Sequence, residues 1–302
     1  MKNPRSILVI LDKPKHPQAA LERAIELHRH SNAHLHLTSF AWQAMVEQNP
    51  VYDVHQRRAL KKEILRQRKV WLDATLRDRN LLAGNLSLET VWTSDIAEWV
   101  AEHASDVDLV VKSVHKTQTL VHTPLDWQLI RSCPKPLLLV GSQSGGGSGK
   151  KSRKKAGRDV LATLDLRNAD RKHQMLNLKV LDAAARFAEL QGGKLHCVAV
   201  VEYSEVLHDL DLVNPRKIRK QAIEATGEFL ASLISRYGIP AARVHRPAGK
   251  VGHMVNATAR KINAGLIVVG SAARRGINAR LLGNSAEKIL TRSPCDLLTI
   301  HP

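Results

Sequence analysis

The sequence points to an α/β protein built from two doubly wound domains in tandem, each a five-stranded parallel sheet with helices on both faces. Two observations carry this. The first is that the chain repeats itself. Ser6-Ile-Leu-Val-Ile-Leu-Asp12 returns as Asp159-Val-Leu-Ala-Thr-Leu-Asp165, and Ala33-His-Leu-His-Leu37 returns as Gly193-Lys-Leu-His-Cys197. Cys133-Pro-Lys-Pro-Leu-Leu-Leu-Val140 returns as Ser293-Pro-Cys-Asp-Leu-Leu-Thr-Ile300. The offset is close to half of the 302 residues, so the repeated unit is a domain and not the short period of a solenoid. The second is that, within each copy, short apolar runs alternate with helical periodicities, the pattern of parallel strands joined by crossover helices.

In the first copy, Ile7–Asp12 is an apolar run suited to a buried strand. Residues 17–30 place Ala20, Leu21, Ala24, Ile25 and Leu27 at helical spacing. His34–Phe40 alternates as a strand, Val54–Leu82 is expected to form a long basic-faced helix, and Leu86–Thr93 a third strand. Ser94 is expected to cap a helix over 95–103, with Glu98 as its capping-box partner. Leu109–Val111, a short helix over 124–131 and Leu137–Val140 complete the copy. The second copy follows the same order. Strands are expected at 160–166, 195–201, 243–246, 266–269 and 297–300, and helices at 177–190, 216–236, 252–261 and 278–291. Right-handed crossovers make each copy Rossmann-like, with ligands expected beyond the carboxyl ends of the strands.

Composition limits the function classes. No apolar run approaches the ~20 residues of a bilayer span. The N-terminus has no signal-peptide layout, and three scattered cysteines make neither a disulfide framework nor a zinc site, so a cytoplasmic protein is expected. The formal net charge is +18, but Lys150, Lys151, Arg153, Lys154, Lys155 and Arg158 follow a Gly/Ser run within residues 143–158. Such a segment reads as a solvated, self-repelling linker, with an anion-binding tether as its second reading. Domains are therefore placed at 1–142 and 159–302. No helix-turn-helix, zinc finger or aromatic RNA-binding motif points to specific nucleic-acid recognition.

After the fourth strand of the second copy comes Val268-Val-Gly-Ser-Ala-Ala-Arg-Arg-Gly-Ile-Asn-Ala-Arg-Leu-Leu-Gly-Asn-Ser-Ala-Glu287. Here the chain resembles the universal stress protein family, whose nucleotide-binding members carry Gly, two residues, Gly, nine residues, then Gly and Ser or Thr. The matching positions are Gly270, Ala273, Gly283 and Asn284, followed by Ser285. Glycines let backbone N–H groups approach phosphate, and a following helix N-terminus favours negative charge. The family also places an aspartate near the nucleoside at the end of strand one, matched by Asp165 and Asp12. The tandem layout, Thr123-Pro-Leu-Asp-Trp-Gln-Leu-Ile-Arg131 and Leu282-Gly-Asn-Ser-Ala-Glu287 resemble the E-type members. The resemblance implies the adenine-nucleotide α-hydrolase-like fold and pairing of the two copies through their last strands, Leu137–Val140 and Leu297–Ile300.

Departures from the motif limit what transfers. In the first copy Lys112 stands where the first glycine is expected, Thr123 and Pro124 occupy the phosphate turn, and Asp126 adds negative charge. Proline has no N–H to offer, so this copy is not expected to bind ATP. In the second copy Gly270 and Gly283 remain, with Arg274, Arg275 and Arg280 nearby, but Ala273 adds a Cβ and Asn284 removes the hydroxyl. Two readings stay open there: a turn that merely ends a strand, and an ATP-type site at Asp165, Gly270, Ala273, Gly283, Asn284 and Ser285.

Other candidates have bland explanations. His28, His30, His34 and His36 lack a carboxylate or cysteine to complete a metal site, and are expected at surfaces and edges. Five tryptophans, Trp42, Trp71, Trp92, Trp99 and Trp127, all fall in the first copy, where they are expected to fill a closed ancestral pocket; an apolar ligand pocket is the second reading. Cys197 and Cys295 read as buried small residues. No nucleophile elbow, His-Glu-x-x-His run or intact Walker loop is present. The expectation is a non-catalytic stress-response protein acting by protein or small-ligand binding, with further homodimer formation open. The alternative is an ATP-binding switch with slow ATPase activity.

Overall fold

The structure is a computed structural model that describes residues 3–79, 81, 85–114, 124–141, 157–167, 170–271, 289 and 293–302. The first half contains β1 (Ser6–Ile10), α1 (Ala19–Ser31), β2 (His34–Phe40), α2 (Ala44–Glu47), α3 (Val54–Arg77) and β3 (Leu86–Val91), then α4 (Ile96–His103), β4 (Leu109–Val114), α5 (Pro124–Ser132) and β5 (Leu137–Gly141). The second half contains β6 (Val160–Thr163), α6 (Arg171–Gln191), β7 (Leu195–Val198), α7 (Glu205–Asp209) and α8 (Pro215–Ser235), then β8 (Val244–His245), α9 (Val251–Lys261), β9 (Leu266–Gly270) and β10 (Asp296–Ile300). Of the helix expected at 278–291, only Ile289 lies among the described residues, and it is helical.

The ten strands form one sheet in the order β3-β2-β1-β4-β5-β10-β9-β6-β7-β8. Pairing is parallel within each half and antiparallel only where β5 meets β10, with Leu138 opposite Leu298. The two last strands are apolar and close each other's edges, which protects both from pairing with other chains. This seam has a polar anchor that the sequence reading missed. Arg23 of α1 lies 3.4 Å from the carboxylate of Asp296 in β10 and hydrogen-bonds Gln191 of α6; Asp296 also accepts from the Gly141 N–H at 3.1 Å. Arg23 and Asp296 are both buried.

Each face of the sheet carries an apolar layer that runs through both halves. One layer packs α1, α6 and the C-terminal parts of α3 and α8 against Ile7, Val9, Val111, Val160, Val268 and Leu298. The other packs α4, α5 and α9 against Leu8, Val110, Leu139, Leu161, Ile267 and Leu297. Alternation along each strand sends neighbouring side chains into opposite layers.

Helix starts show where the sequence reading was off, by one residue at α4 and by six at α6. Asp95, not Ser94, caps α4, accepting from the Glu98 N–H at 2.8 Å. Helix α6 begins at Arg171, six residues before the expected start. Asp170 caps it, accepting from Lys172 and His173 N–H groups, and its polar first turn carries no apolar periodicity. Helices α1 and α6 end alike, at Asn32 (φ 54°) and Gly192 (φ 62°), left-handed positions that suit Asn and Gly.

Candidate functional site

In each half the chain leaves the first strand two residues before an aspartate, and a side-chain amide from the next helical region clamps it. In the second half, the Asn177 side chain donates to the Asp165 carbonyl at 2.8 Å and accepts from the Asp165 N–H at 3.0 Å. In the first half, Gln18 accepts from the Asp12 N–H at 3.2 Å and donates to the carbonyls of Asp12, Lys13 and His16. Gln18 and Asn177 do the same work at different loop lengths. Both escaped the sequence reading, because an amide six residues beyond one aspartate and twelve beyond the other leaves no spacing signal.

The aspartates themselves differ. Asp12 is buried, whereas the Asp165 side chain is about one-third exposed and is gripped by Arg167. The Arg167 backbone N–H and Nε both donate to Asp165 Oδ1, at 3.0 and 3.2 Å, and its guanidinium also binds Glu202. The hydrogen bond to Asp165 holds the Arg167 guanidinium above its ordinary pKa.

At the fourth strand, the ladder corrects the sequence alignment. Val111 pairs with Leu138, and Val268 pairs with Leu298. Val111 also pairs with Val9 and Val268 with Ala162, and Val9 and Ala162 hold the same place in the repeated first strands, so Val111 corresponds to Val268, Lys112 to Val269 and Ser113 to Gly270. Lys112 therefore does not stand at the glycine position; Ser113 does. A one-residue slip reverses the face of every side chain, and the contacts agree. Ser113 Oγ accepts from the Ala20 N–H near the start of α1 at 2.8 Å. At Gly270, an added Cβ would sit 2.7 Å from Leu176 Cγ of α6. Gly270 has no left-handed backbone; its missing side chain makes room for Leu176.

Lys112 points into the opposite layer. Its Nζ lies 2.6 Å from Asp126 Oδ1 in the first turn of α5 and donates to the Ser113 carbonyl at 2.8 Å. Lys112 is 5% exposed and Asp126 is fully buried. Where the fold would offer an anion the N-terminus of a helix, the first half supplies its own carboxylate and a matching ammonium. The second half has apolar Val269 at the ladder position of Lys112. These residues do not fit a nucleotide phosphate in the first half. In the second half, both described members of the predicted set have partners within the chain: Arg167 for Asp165, and Leu176 for the space above Gly270. Ala273, Gly283, Asn284 and Ser285, with Arg274, Arg275, Arg280, Thr123 and most of the linker, lie outside the described residues.

The five tryptophans do not fill a closed pocket as expected. None is fully buried. Trp71, Trp99 and Trp127 pack on the margins of the two layers, and Trp92 donates to Glu47 at 2.6 Å. Their large rings border the cores while the ion pair closes the first cleft. Cys133 and Cys197 are buried and Cys295 is partly so; burial pushes the Cys133 thiol up to about 11 and the Cys197 thiol to about 12.

His28 and His30 lie in the last turn of α1, whereas His34, His36, His196 and His245 lie on strands. His36 bonds Ser6 Oγ at 2.9 Å and Ser87 Oγ at 2.8 Å, and its ring lies 4.6 Å from that of His34. His28 bonds the Ala33 carbonyl at 2.7 Å, while His30 is exposed. His196, the counterpart of His36, meets His245 at 3.1 Å, with Asp159 3.4 Å away. Burial lowers the pKa of His36, His196 and His245.

Comparison with known proteins agrees with this architecture. The model of the "Universal stress protein family" matches residues 4–141 and 175–301. Universal stress protein E of Escherichia coli K12 is 25% identical over 99% of this chain and 94% of its own length. That of Photorhabdus laumondii is 26% identical over 100% of this chain and 96% of its own. Among solved structures, a Pseudomonas aeruginosa PAO1 protein of unknown function aligns with a TM-score of 0.68 at 24% identity, covering 99% of this chain and 93% of that one. A universal stress protein from Archaeoglobus fulgidus DSM 4304 aligns with a TM-score of 0.64 at 13% identity, covering 99% and 97%; at that identity the likeness speaks for the fold alone. The doubled α/β half, the seam between last strands and a family match in both halves lead to one conclusion: the chain belongs to the universal stress protein family and carries its domain twice.

Proposed function

We propose that the chain is a non-catalytic stress-response protein of the cytoplasm that acts by binding a protein or small ligand, and that any ligand cleft is confined to the second half. In this reading the working units are residues 1–142 and 159–302, joined by 143–158. The observation that carries it is the buried Lys112–Asp126 pair, which fills the anion-binding corner of the first half with the protein's own charges. Breaking such a pair to admit a phosphate would leave a buried charge uncompensated, at a cost of about 3–5 kcal/mol. The second half has Val269 in place of Lys112, but Arg167 already holds the carboxylate of Asp165.

The alternative is an ATP switch with slow hydrolysis in the second half. One observation favours it: the Asp165 side chain is partly exposed where Asp12 is buried. Native mass spectrometry of freshly purified protein, followed by ATP titration, separates the two. The binding-protein reading expects no stoichiometric adenine nucleotide and no hydrolysis above the buffer rate. One ATP per chain, lost in both Asp165→Ala and Gly283→Val, would replace it with the switch.

A further inference from the structure

The long helix α3 carries a feature that neither cleft uses. A capping box starts it, with Asp53 accepting from the Gln56 N–H while the Gln56 side chain accepts from the Asp53 N–H. From Val54 to Trp71 it buries no residue; only Leu72, Thr75 and Leu76 reach the core. Eight of its side chains are Lys or Arg, against two carboxylates, Glu63 and Asp73. Arg58, Lys62, Arg66 and Lys69 are all exposed and recur at four, four and three residues, so they line one stripe about 16 Å long. Glu63 engages Arg66 at 2.7 Å, whereas Arg58, Lys62 and Lys69 have no carboxylate partner among the described residues.

Like charges four residues apart destabilise a helix, so the stripe works against the element that bears it. Helix α8, its counterpart, also opens with cations, Arg216, Lys217, Arg219 and Lys220, but they end within two turns, where Lys220 approaches Glu224 at 3.9 Å. The stripe belongs to α3.

We propose that this face of α3 is a docking surface for the phosphate backbone of duplex nucleic acid, gripped without reading sequence. Over about 16 Å a duplex presents roughly nine phosphates, a match in sign and length for a row of cations. Two features set aside other polyanions. A helix that lies on a membrane needs a continuous apolar face turned outward, but α3 turns Leu72 and Leu76 into the sheet, and its exposed large apolar side chains, Val54 and Val70, stand at opposite ends of the cationic stretch and form no such face. Single strands need open aromatic platforms, but Trp71 lies beneath Arg68 and Trp92 beneath Lys61, with cation-to-ring distances of 5.6 and 5.5 Å.

The test is fluorescence anisotropy of the full chain with a mixed-sequence DNA duplex, between about 50 mM and about 200 mM salt. Wild type should bind, with affinity falling steeply as salt rises. The variant R58Q/K62Q/R66Q/K69Q should bind at least about tenfold more weakly, with a log–log salt slope shallower by about 3 to 4. The changed residues are exposed, so circular dichroism should be unaltered; if it is not, K62Q/K69Q repeats the test with an expected slope change of about 2. Neutralising Lys150, Lys151, Arg153, Lys154 and Lys155 should leave the stripe's share of the slope intact. The proposal fails if wild type does not bind at the lowest salt, if the stripe variants keep the wild-type slope, or if the linker variant alone abolishes binding. Capture by anionic phosphatidylserine vesicles without duplex binding would also overturn it.

Discussion

Among the described residues the two halves share strand order, the order of their helices up to the fourth strand and the amide clamp on the aspartate after the first strand, yet they finish their clefts in opposite ways. The first half ends in a buried ammonium–carboxylate pair, Lys112–Asp126. The second has Val269 at the same ladder position, and its aspartate is exposed enough to be gripped by Arg167. Duplication preserved the scaffold because the sheet depends on many interchangeable apolar residues. It did not preserve the site, which depends on a few side chains whose exchange leaves the fold standing.

The largest expected effect breaks the comparison at its centre. Asp126→Ala should destabilise the protein by about 3–5 kcal/mol, because the Lys112 ammonium stays buried without its carboxylate. Replacing the pair together, as Lys112→Met with Asp126→Leu, should restore most of that loss. Equilibrium urea unfolding measures both, and a single variant as stable as wild type would show that the pair is not what closes the first half. Next comes Gly270→Ala, expected to cost about 1–3 kcal/mol as its Cβ meets Leu176. Leu176→Ala in the same chain should relieve the overlap, so the two changes should be strongly non-additive in a double-mutant cycle. Additive losses would mean that Gly270 serves something other than Leu176.

The clamps sharpen the comparison. Asn177→Ala and Gln18→Ala should each lose about 1–2 kcal/mol, since both leave main-chain groups short of partners. If thermal melts show only one of them to matter, the clamp is not a shared device. The smallest effect is on pH dependence. Burial depresses His36 in the first half and both His196 and His245 in the second. Above the unfolded value near 6.5 these groups are neutral in both states and stability is insensitive to them. As pH falls below it, the unfolded chain takes up protons first, so stability declines until the folded form protonates too. Urea midpoints at about pH 7.5 and about pH 5.5 should therefore converge more in His196→Gln than in His36→Gln. Equal slopes would mean that the second-half pair does not titrate as a unit.

Much of the fold was legible in the sequence. Apolar strand runs and helical stripes recur in both copies, so each confirmed the other, and the family resemblance implied the seam that β5 and β10 form. The errors came where signals are local or absent. The first turn of α6 is polar and carries no period, and the cap of α4 moved by one residue because Ser94 and Asp95 are both good caps. At the fourth strand, matching Val-Val-Lys to Val-Val-Gly by identity gave a register one residue away from the one the hydrogen bonds adopt.

That last error divides what each level of description decides. Residue order alone determined the duplicated α/β architecture, because burial requires only that apolar residues recur at the period of a strand or a helix, and any observer of the pattern can count them. Which side chains meet across that scaffold is another matter. Lys112 finding Asp126, Arg23 reaching Asp296 and Leu176 filling the space above Gly270 each join residues distant in sequence. Such pairings follow from strand register and helix placement, where a shift of one position turns a side chain to the opposite face, and only the folded chain fixes them.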